Sequence, residues 1–375
     1  MNIKFIMGSI LMVLLFSSCN ISTKNVNNSG NFKPMDLKYA KGFKISESDN
    51  KIKLTVENPW QHAKNIHFEY LLSKNNDSVT NSIKIPVSRV VCLSSTHVAF
   101  LNKLNRLNTI AGVTNSKFIY DSTVSERIKS GKVVDVGNEQ ALNYEAILHL
   151  KPDIIFAYGV GAEVQSVYQK FADWNIPVVI IAEYLEATPL GKAEWIKFFS
   201  CFFNNYLIAD SVFSVIENEY NQYTSKVKHV QKKPVVMLNL PWRGVWYMPG
   251  GKSFMADFIA DAGGKYIYNA DTSRESMSLS IEQVVNDCKN ADIWINAGMA
   301  NSIADIKNTD TRIIGLQPFV NNQVYNNNNK VNSSGGNDFW GSGVVCPQLI
   351  LRDLINIFHP EIFNDTNFVY YKKLY

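Results

Sequence analysis

The sequence predicts an α/β protein built as two α/β lobes linked by one long α-helix and preceded by a small N-terminal β appendage. Three observations carry that prediction. Apolar residues alternate with a period of two over residues 51–86; short apolar strands alternate with amphipathic helices from residue 89 onward; and residues 206–230 lack Gly and Pro while keeping apolar side chains at helical spacing. The first pattern gives strands with one buried face, the second βαβ units, the third a helix the length of a domain.

Length and composition set the outer bounds. The 375 residues are 46% apolar and 19% charged, too apolar for a disordered chain and long enough for two domains or one large one. The 37 Lys and Arg against 33 Asp and Glu leave a charge of only +4, and no basic run exceeds two residues. A stripe for tracking nucleic-acid phosphates is therefore not visible, and that class is set aside.

The chain opens with a targeting segment. One positive charge in residues 1–4 precedes an apolar run over residues 5–16, too short to span a bilayer and of the length of a secretory signal core. Ser17-Ser18-Cys19 is similar to the bacterial lipobox, and that resemblance implies removal of residues 1–18 and lipidation of Cys19. Residues 19–50 then read as a flexible, polar tether. Of the remaining cysteines, Cys92 and Cys201 lie in apolar runs and read as buried small hydrophobes; with Cys288 and Cys346 they form no C-x-x-C pair, so neither a structural disulfide nor a Cys-based zinc site is expected.

The elements follow in order. The β appendage occupies residues 51–88, with Ile52, Leu54 and Val56 on one strand, Ile66, Phe68, Tyr70 and Leu72 on the next, and turns at Asn58-Pro59 and Asn75-Asn76-Asp77. The N-terminal lobe spans 89–205: strands at 90–93, 109–113, 153–158 and 178–182, helices at 96–105, 143–150 and 162–174, and a helix opened by Thr188-Pro189 that runs to about residue 203. The linking helix takes 206–231. In the C-terminal lobe, 232–375, the alternation resumes through 235–240, 254–262, 281–287, 292–296 and 313–316, with a last helix near 348–358.

A faint internal repeat relates the lobes. Asn143-Tyr-Glu145 leading to Asp153-Ile-Ile, and Ser280-Ile-Glu282 leading to Asp292-Ile-Trp, each place a Glu in the first turn of a short helix and an Asp at the opening of an apolar strand. With Arg89-Val-Val-Cys-Leu-Ser-Ser and Met248-Pro-Gly-Gly-Lys-Ser-Phe, these pieces make residues 89–360 resemble the periplasmic solute-binding proteins of ABC importers for iron chelates, haem or cobalamin. The resemblance implies two lobes that clasp a ligand, and a non-enzymatic, monomeric, membrane-anchored periplasmic lipoprotein. It also implies partners, an ABC permease with its ATPase subunits, which Glu145 and Glu282 would meet as a two-point carboxylate contact. No resident cofactor is expected, since the resemblance implies a ligand that brings its own iron or cobalt.

In wound α/β lobes, ligands gather at the carboxyl ends of strands. The candidate loops are Ser94-Ser95-Thr96-His97, Tyr158-Gly159-Val160, Glu183-Tyr184, Asn296-Ala297-Gly298, and Trp242-Arg243 with Trp246-Tyr247. The last group mixes aromatic area with a cation and is expected to hold a bulky ligand, with His97 and Tyr158 as further contacts. His97 as an axial ligand to haem iron or cobalt is the sharper reading, a helix-start donor the plainer one. Gly250-Gly251-Lys252-Ser253 lacks the spacing of a P-loop, Gly341-Ser342-Gly343 that of a nucleophile elbow, and the six His residues include no i, i+4 pair. The leading expectation is capture of a siderophore-type iron complex; cobalamin, another corrinoid or haem comes next, and a secreted α/β hydrolase-like enzyme is the alternative from another class.

Overall fold

In this computed structural model the described residues are 31–75, 82–138, 140–161, 164–363, 365 and 367–375. The signal segment, Cys19 and part of the expected turn after residue 75 lie outside them. Five strands open the fold: β1 (Lys33–Met35), β2 (Phe43–Ser48), β3 (Lys51–Glu57), β4 (His67–Ser73) and β5 (Ile83–Lys84), in the order β1-β2-β3-β4-β5. The alternation on β3 puts Ile52, Leu54 and Val56 inward and their neighbours outward.

Here the expectation of a tether through residue 50 is corrected. Residues 33–35 and 43–48 belong to the sheet, and the segment between them is pinned by buried carboxylates far down the chain. Glu194 accepts the backbone N–H groups of Lys38, Tyr39 and Ala40 at 3.0, 2.8 and 2.9 Å, and Glu186 accepts those of Lys41 and Gly42. Phe43 then packs against Trp195 at 4.7 Å between ring centres. Polar composition suggested a tether; satisfied hydrogen bonds make it part of the fold.

The N-terminal lobe contains β6 (Val90–Cys92), α1 (Ser95–Lys103), β7 (Ile110–Val113), α2 (Ser122–Lys129), β8 (Val134–Asp135), a small ladder of β9 (Gly137–Asn138) and β10 (Ala141–Leu142), α3 (Tyr144–Leu150), β11 (Ile154–Ala157), α4 (Val164–Ala172) and β12 (Val178–Ile180). Its sheet is wholly parallel in the order β12-β11-β6-β7-β8. Both faces are covered, which is why β6, β11 and β12 read as unbroken apolar runs.

Helix α5 (Pro189–Cys201) starts where Thr188 caps it and is buried along its whole length. The linking helix α6 (Tyr206–Val227) packs against it, and 22 residues at ~1.5 Å each make it roughly 33 Å long. Its buried Glu217 accepts from Lys38 Nζ at 2.7 Å and Tyr39 Oη at 2.9 Å, while Tyr220 Oη donates to Asp261 of the C-terminal lobe at 2.6 Å. One helix thus braces the appendage and the second lobe together.

The C-terminal lobe runs through β13 (Val235–Leu238), β14 (Val245–Pro249), α7 (Phe254–Asp261), β15 (Lys265–Tyr266), β16 (Ser276–Ser280), α8 (Ile281–Asp287), β17 (Ile293–Ile295), α9 (Ile303–Thr309), α10 (Gln317–Val320), β18 (Tyr325–Asn326), α11 (Ser342–Val345), α12 (Pro347–Phe358), α13 (Pro360–Phe363) and β19 (Lys372–Lys373). Its parallel sheet has three strands, β15-β13-β17, flanked by the antiparallel pair β14-β16. Residues 313–316, placed in the strand–helix alternation by sequence, fall instead in and after the 3-10 turn Thr311–Gly315. Near the end of the chain Asp353 of α12 accepts the N–H groups of Val369, Tyr370 and Tyr371, which ties the last segment to the core.

The repeat has a structural basis. Asp153 Oδ2 accepts the N–H of Arg89 at 2.9 Å just before β6, and Asp292 Oδ2 accepts the N–H of Val235 at 2.7 Å at the start of β13. Each Asp thus closes the first rung between two parallel strands.

Candidate ligand-binding site

A cavity of ≈ 470 Å³ lies between the lobes. The N-terminal lobe supplies the start of α1, with Ser94, Ser95 and Thr96, the loop after β11, with Tyr158 and Val160, and the turn after β12, with Glu183 and Tyr184. Lys192 of α5 completes that wall. The C-terminal lobe supplies Phe254 and Phe258 of α7, one helical turn apart, and Phe339, Trp340, Val344 and Ile350 around α11 and α12. Six aromatic rings therefore line a largely apolar space.

A second cavity of ≈ 550 Å³ adjoins the first and shares Tyr184, Phe254 and Trp340 with it. The appendage takes part here: Trp60, Gln61 and His62 of the β3–β4 loop face Lys252, Arg274 and Glu275 of the C-terminal lobe, and His62 Nε2 lies 3.4 Å from Glu275 Oε1. On another side the lobes are joined by Asn332, whose side-chain amide donates to the carbonyls of Lys117 at 3.0 Å and Ile119 at 3.1 Å.

The polar end of the first cavity is a short relay. Ser94 Oγ lies 2.9 Å from Thr96 Oγ1, which donates to Glu183 Oε1 at 2.8 Å. Burial pushes the Glu183 carboxyl above its usual range, opposed by the Thr96 hydrogen bond and the nearby Lys192 charge. Burial likewise pushes Lys192 down to about 8, against the fields of Glu183 and Glu186. Lys192 Nζ donates to the Tyr184 carbonyl at 2.9 Å and sits 4.4 Å from the centre of the Phe254 ring.

Several site residues expected from sequence fall elsewhere. Tyr158 lines the cavity, but His97 does not: it is fully buried beneath it among Phe156, Tyr158 and Phe199, and neither ring nitrogen has a hydrogen-bond partner among the described residues. Burial pushes its pKa down to about 3, so the ring is neutral, and it is placed neither as an axial metal ligand nor beside a serine hydroxyl as a base.

The Trp242 to Tyr247 cluster lines neither of these cavities. Trp242 and Val245 exchange backbone hydrogen bonds around Arg243 and Gly244, both at positive φ, which makes a tight hairpin turn. Arg243 stacks on Trp242 at 4.5 Å, and Trp242 is 58% exposed. On β14 the period of two sends Trp246 into the core, where its indole donates to the Leu238 carbonyl at 3.0 Å, and turns Tyr247 outward. Four residues grouped by proximity in sequence thus divide into a surface turn, a core position and an exposed strand face.

Sequence reasoning missed Phe254, Phe258, Lys192, Phe339 and Trp340. The signal available was Phe339-Trp340 set between Gly335-Gly336 and Gly341 in an Asn-rich stretch, a pair of large aromatics outside any periodic core pattern. Ser342 Oγ donates to Asp338 Oδ2 at 2.6 Å and also contacts Tyr370 Oη, an arrangement without a histidine. Cys92, Cys201, Cys288 and Cys346 are buried free thiols, and among the described residues no group of three or more His, Cys, Asp or Glu is placed to hold a metal ion. No helix among them is long and apolar enough to cross a membrane.

The proposed docking carboxylates sit on exposed first turns. Asn143 caps α3 by accepting from Ala146 N–H, and Glu145 follows it; Ser280 caps α8 by accepting from Gln283 N–H, and Glu282 follows it.

Comparison with known proteins places this geometry. A family model described as periplasmic binding protein matches residues 90–326. An uncharacterized lipoprotein of Methanocaldococcus jannaschii is 25% identical over 401 aligned positions, covering 97% of this chain and 94% of that one. Among solved structures, a periplasmic solute-binding protein of Staphylococcus epidermidis, described as a possible iron-binding protein, is similar with a TM-score of 0.57 and 17% identity, over 73% of this chain and 99% of that one. The periplasmic vitamin B12-binding protein of Vibrio cholerae is similar with a TM-score of 0.53 and 16% identity, over 73% of this chain and 97% of that one.

Proposed function

The chain belongs to the periplasmic binding protein family, and from that premise we propose that it captures a siderophore-type iron complex between its lobes and delivers it to an ABC permease and its ATPase subunits. The observation that carries this reading is the aromatic-walled cavity of ≈ 470 Å³ between two lobes braced by one helix. A chelate that supplies all its own metal donors presents organic surface to the protein, and aromatic rings give that surface area and shape. A planar macrocycle, a corrinoid or haem, suits the same rings and is the second reading. The protein acts without catalysing a reaction on its cargo.

Cys19 carries the lipid in this reading and holds the chain, as a monomer, at a membrane on the periplasmic side; relatives described as lipoproteins support it. Glu145 and Glu282 then meet cationic sockets on the permease. Two like carboxylates on separate lobes fix orientation and speed encounter more than they add affinity. Native mass spectrometry and absorbance spectroscopy with ferric siderophores, haem and cobalamin test the cargo: one of them forms a 1:1 complex. Binding of none, together with ester turnover blocked by serine-directed reagents, would sink the reading in favour of an enzyme.

A further inference from the structure

We propose that Glu183 and Lys192 form a recognition pair for an amide on the ligand, the amide N–H donating to the Glu183 carboxylate and its carbonyl accepting from Lys192 Nζ. This rests on the reading of the interlobe cavity as the ligand site and names the chemistry that the site selects.

The two are the charged side chains among those lining the first cavity, and both are buried, at 5% and 8% exposure. They are near enough to shift one another's protonation, yet they make no contact ion pair. Glu183 Oε1 takes the Thr96 hydroxyl, whereas Oε2 has no hydrogen-bond partner among the described residues.

Two nearby carboxylates serve as an internal control. Glu186 is saturated by the N–H groups of Lys41 and Gly42 and the Trp195 indole, and Glu194 by three backbone N–H groups and Lys197 Nζ at 3.1 Å. Those two hold the fold together. Glu183 lines the cavity with one carboxylate oxygen, Oε2, buried and without a partner among the described residues, and a buried polar atom left in that state is costly.

The alternatives fit the pair less well. An anionic ligand group would be attracted by Lys192 and repelled by Glu183; a cationic one would meet the reverse. A purely apolar group would leave Glu183 Oε2 without a partner. A neutral group that presents a donor beside an acceptor serves both residues at once, and an amide is that group.

Calorimetric titration of the full chain with two matched pairs tests this. N-acetylferrioxamine B, which carries backbone amides and no ammonium, is compared with ferric tris(N-methylacetohydroxamate), which has no N–H; cyanocobalamin, with side-chain amides, is compared with dicyanocobyrinate heptamethyl ester. The wild-type chain should prefer the amide member of at least one pair by tenfold or more, on the order of one charge-assisted hydrogen bond. Glu183→Gln keeps the side-chain shape and the Thr96 contact but replaces one acceptor oxygen by a donor, and it should weaken the amide member about tenfold to a hundredfold while moving its counterpart less than about twofold. Lys192→Met should reduce the same preference. Melting temperatures of both variants show whether the fold is intact. Equal binding of both members of every pair, equal weakening of both by Glu183→Gln, or binding of haemin alone overturns the proposal. Binding of none of these probes brings down the ligand-site reading itself, a result distinct from the others.

Discussion

Helices α3 and α8 solve one structural problem twice, with unequal means. Each starts at a side-chain cap, carries a Glu in its first turn, and leads to an Asp that closes the first rung of a parallel sheet. At the N-terminal tip Glu145 makes no ion pair with the described residues. At the C-terminal tip Glu282 meets Arg312, whose Nε also donates to Asp310 at 2.8 Å. Asp153 accepts from Ser88 N–H at 2.6 Å, Ser88 Oγ at 3.0 Å and Arg89 N–H at 2.9 Å, whereas Asp292 accepts from Val235 N–H. The backbone plan is shared and its electrostatic setting is not. If the two carboxylates dock as proposed, their equivalent positions are therefore unequal contact points.

The largest expected effect comes from reversing both tips. Glu145→Arg with Glu282→Arg should reduce transport in reconstituted vesicles to background while leaving ligand affinity within about twofold, because neither residue lines the cavity and the repulsion is confined to the docking face. The single changes sharpen the comparison: Glu145→Arg should cost more than Glu282→Arg, whose carboxylate is already partly offset by Arg312. Transport that survives the double change removes the docking assignment.

The same contrast between shared plan and local setting explains what could be read from the chain. The linking helix was legible because residues 206–230 carry no breaker and keep apolar side chains at helical spacing; of those, Ile216, Tyr220 and Val227 are buried, whereas Leu207 and Val215 face outward. The loops that carry Ser94 to Thr96, Tyr158 and Glu183 were legible because strand ends in wound sheets are fixed by topology. Strands β1 and β2 were not: only Phe43 and Ile45 mark the buried face of β2, and the polar segment that joins the two strands is held by Glu186 and Glu194, distant partners that leave no local pattern. Trp246 was misassigned because proximity in sequence was weighed above the period of two that turns alternate residues inward. The opposite wall was missed for a related reason: Phe254 and Phe258 read as ordinary core spacing on α7, and only the approach of the other lobe makes them a cavity surface.

Stability separates the two Asp residues by a smaller margin. Asp153→Ala removes an acceptor from two backbone N–H groups and one hydroxyl and should cost about 2 kcal/mol; Asp292→Ala releases one N–H and should cost about 1 kcal/mol. Urea denaturation with unchanged slopes gives the comparison directly. Equal losses would mean that the extra Ser88 contacts contribute nothing, and that the lobes are anchored equally.

The smallest effect tests whether Arg312 competes with the permease or aims Glu282 at it. Arg312 is exposed, so its pairing with Glu282 is screened by solvent and salt. In the competing case Glu282 exchanges one guanidinium for another on docking, and the gain at this tip is the difference between two similar pairs. Removing the internal partner with Arg312→Gln leaves Glu282 and Asp310 unopposed and makes the tip more negative. Association with a cationic socket should then quicken by about two- to threefold at low salt, and the gain should vanish as ionic strength rises past the point where the Debye length falls to about 8 Å. In the aiming case the same variant slows association and the loss persists in salt, because an untethered Glu282 must be ordered at each encounter. Stopped-flow association with the reconstituted permease at two salt concentrations separates the two, and the sign of the change decides whether the unequal tips differ in strength or only in how each carboxylate is held.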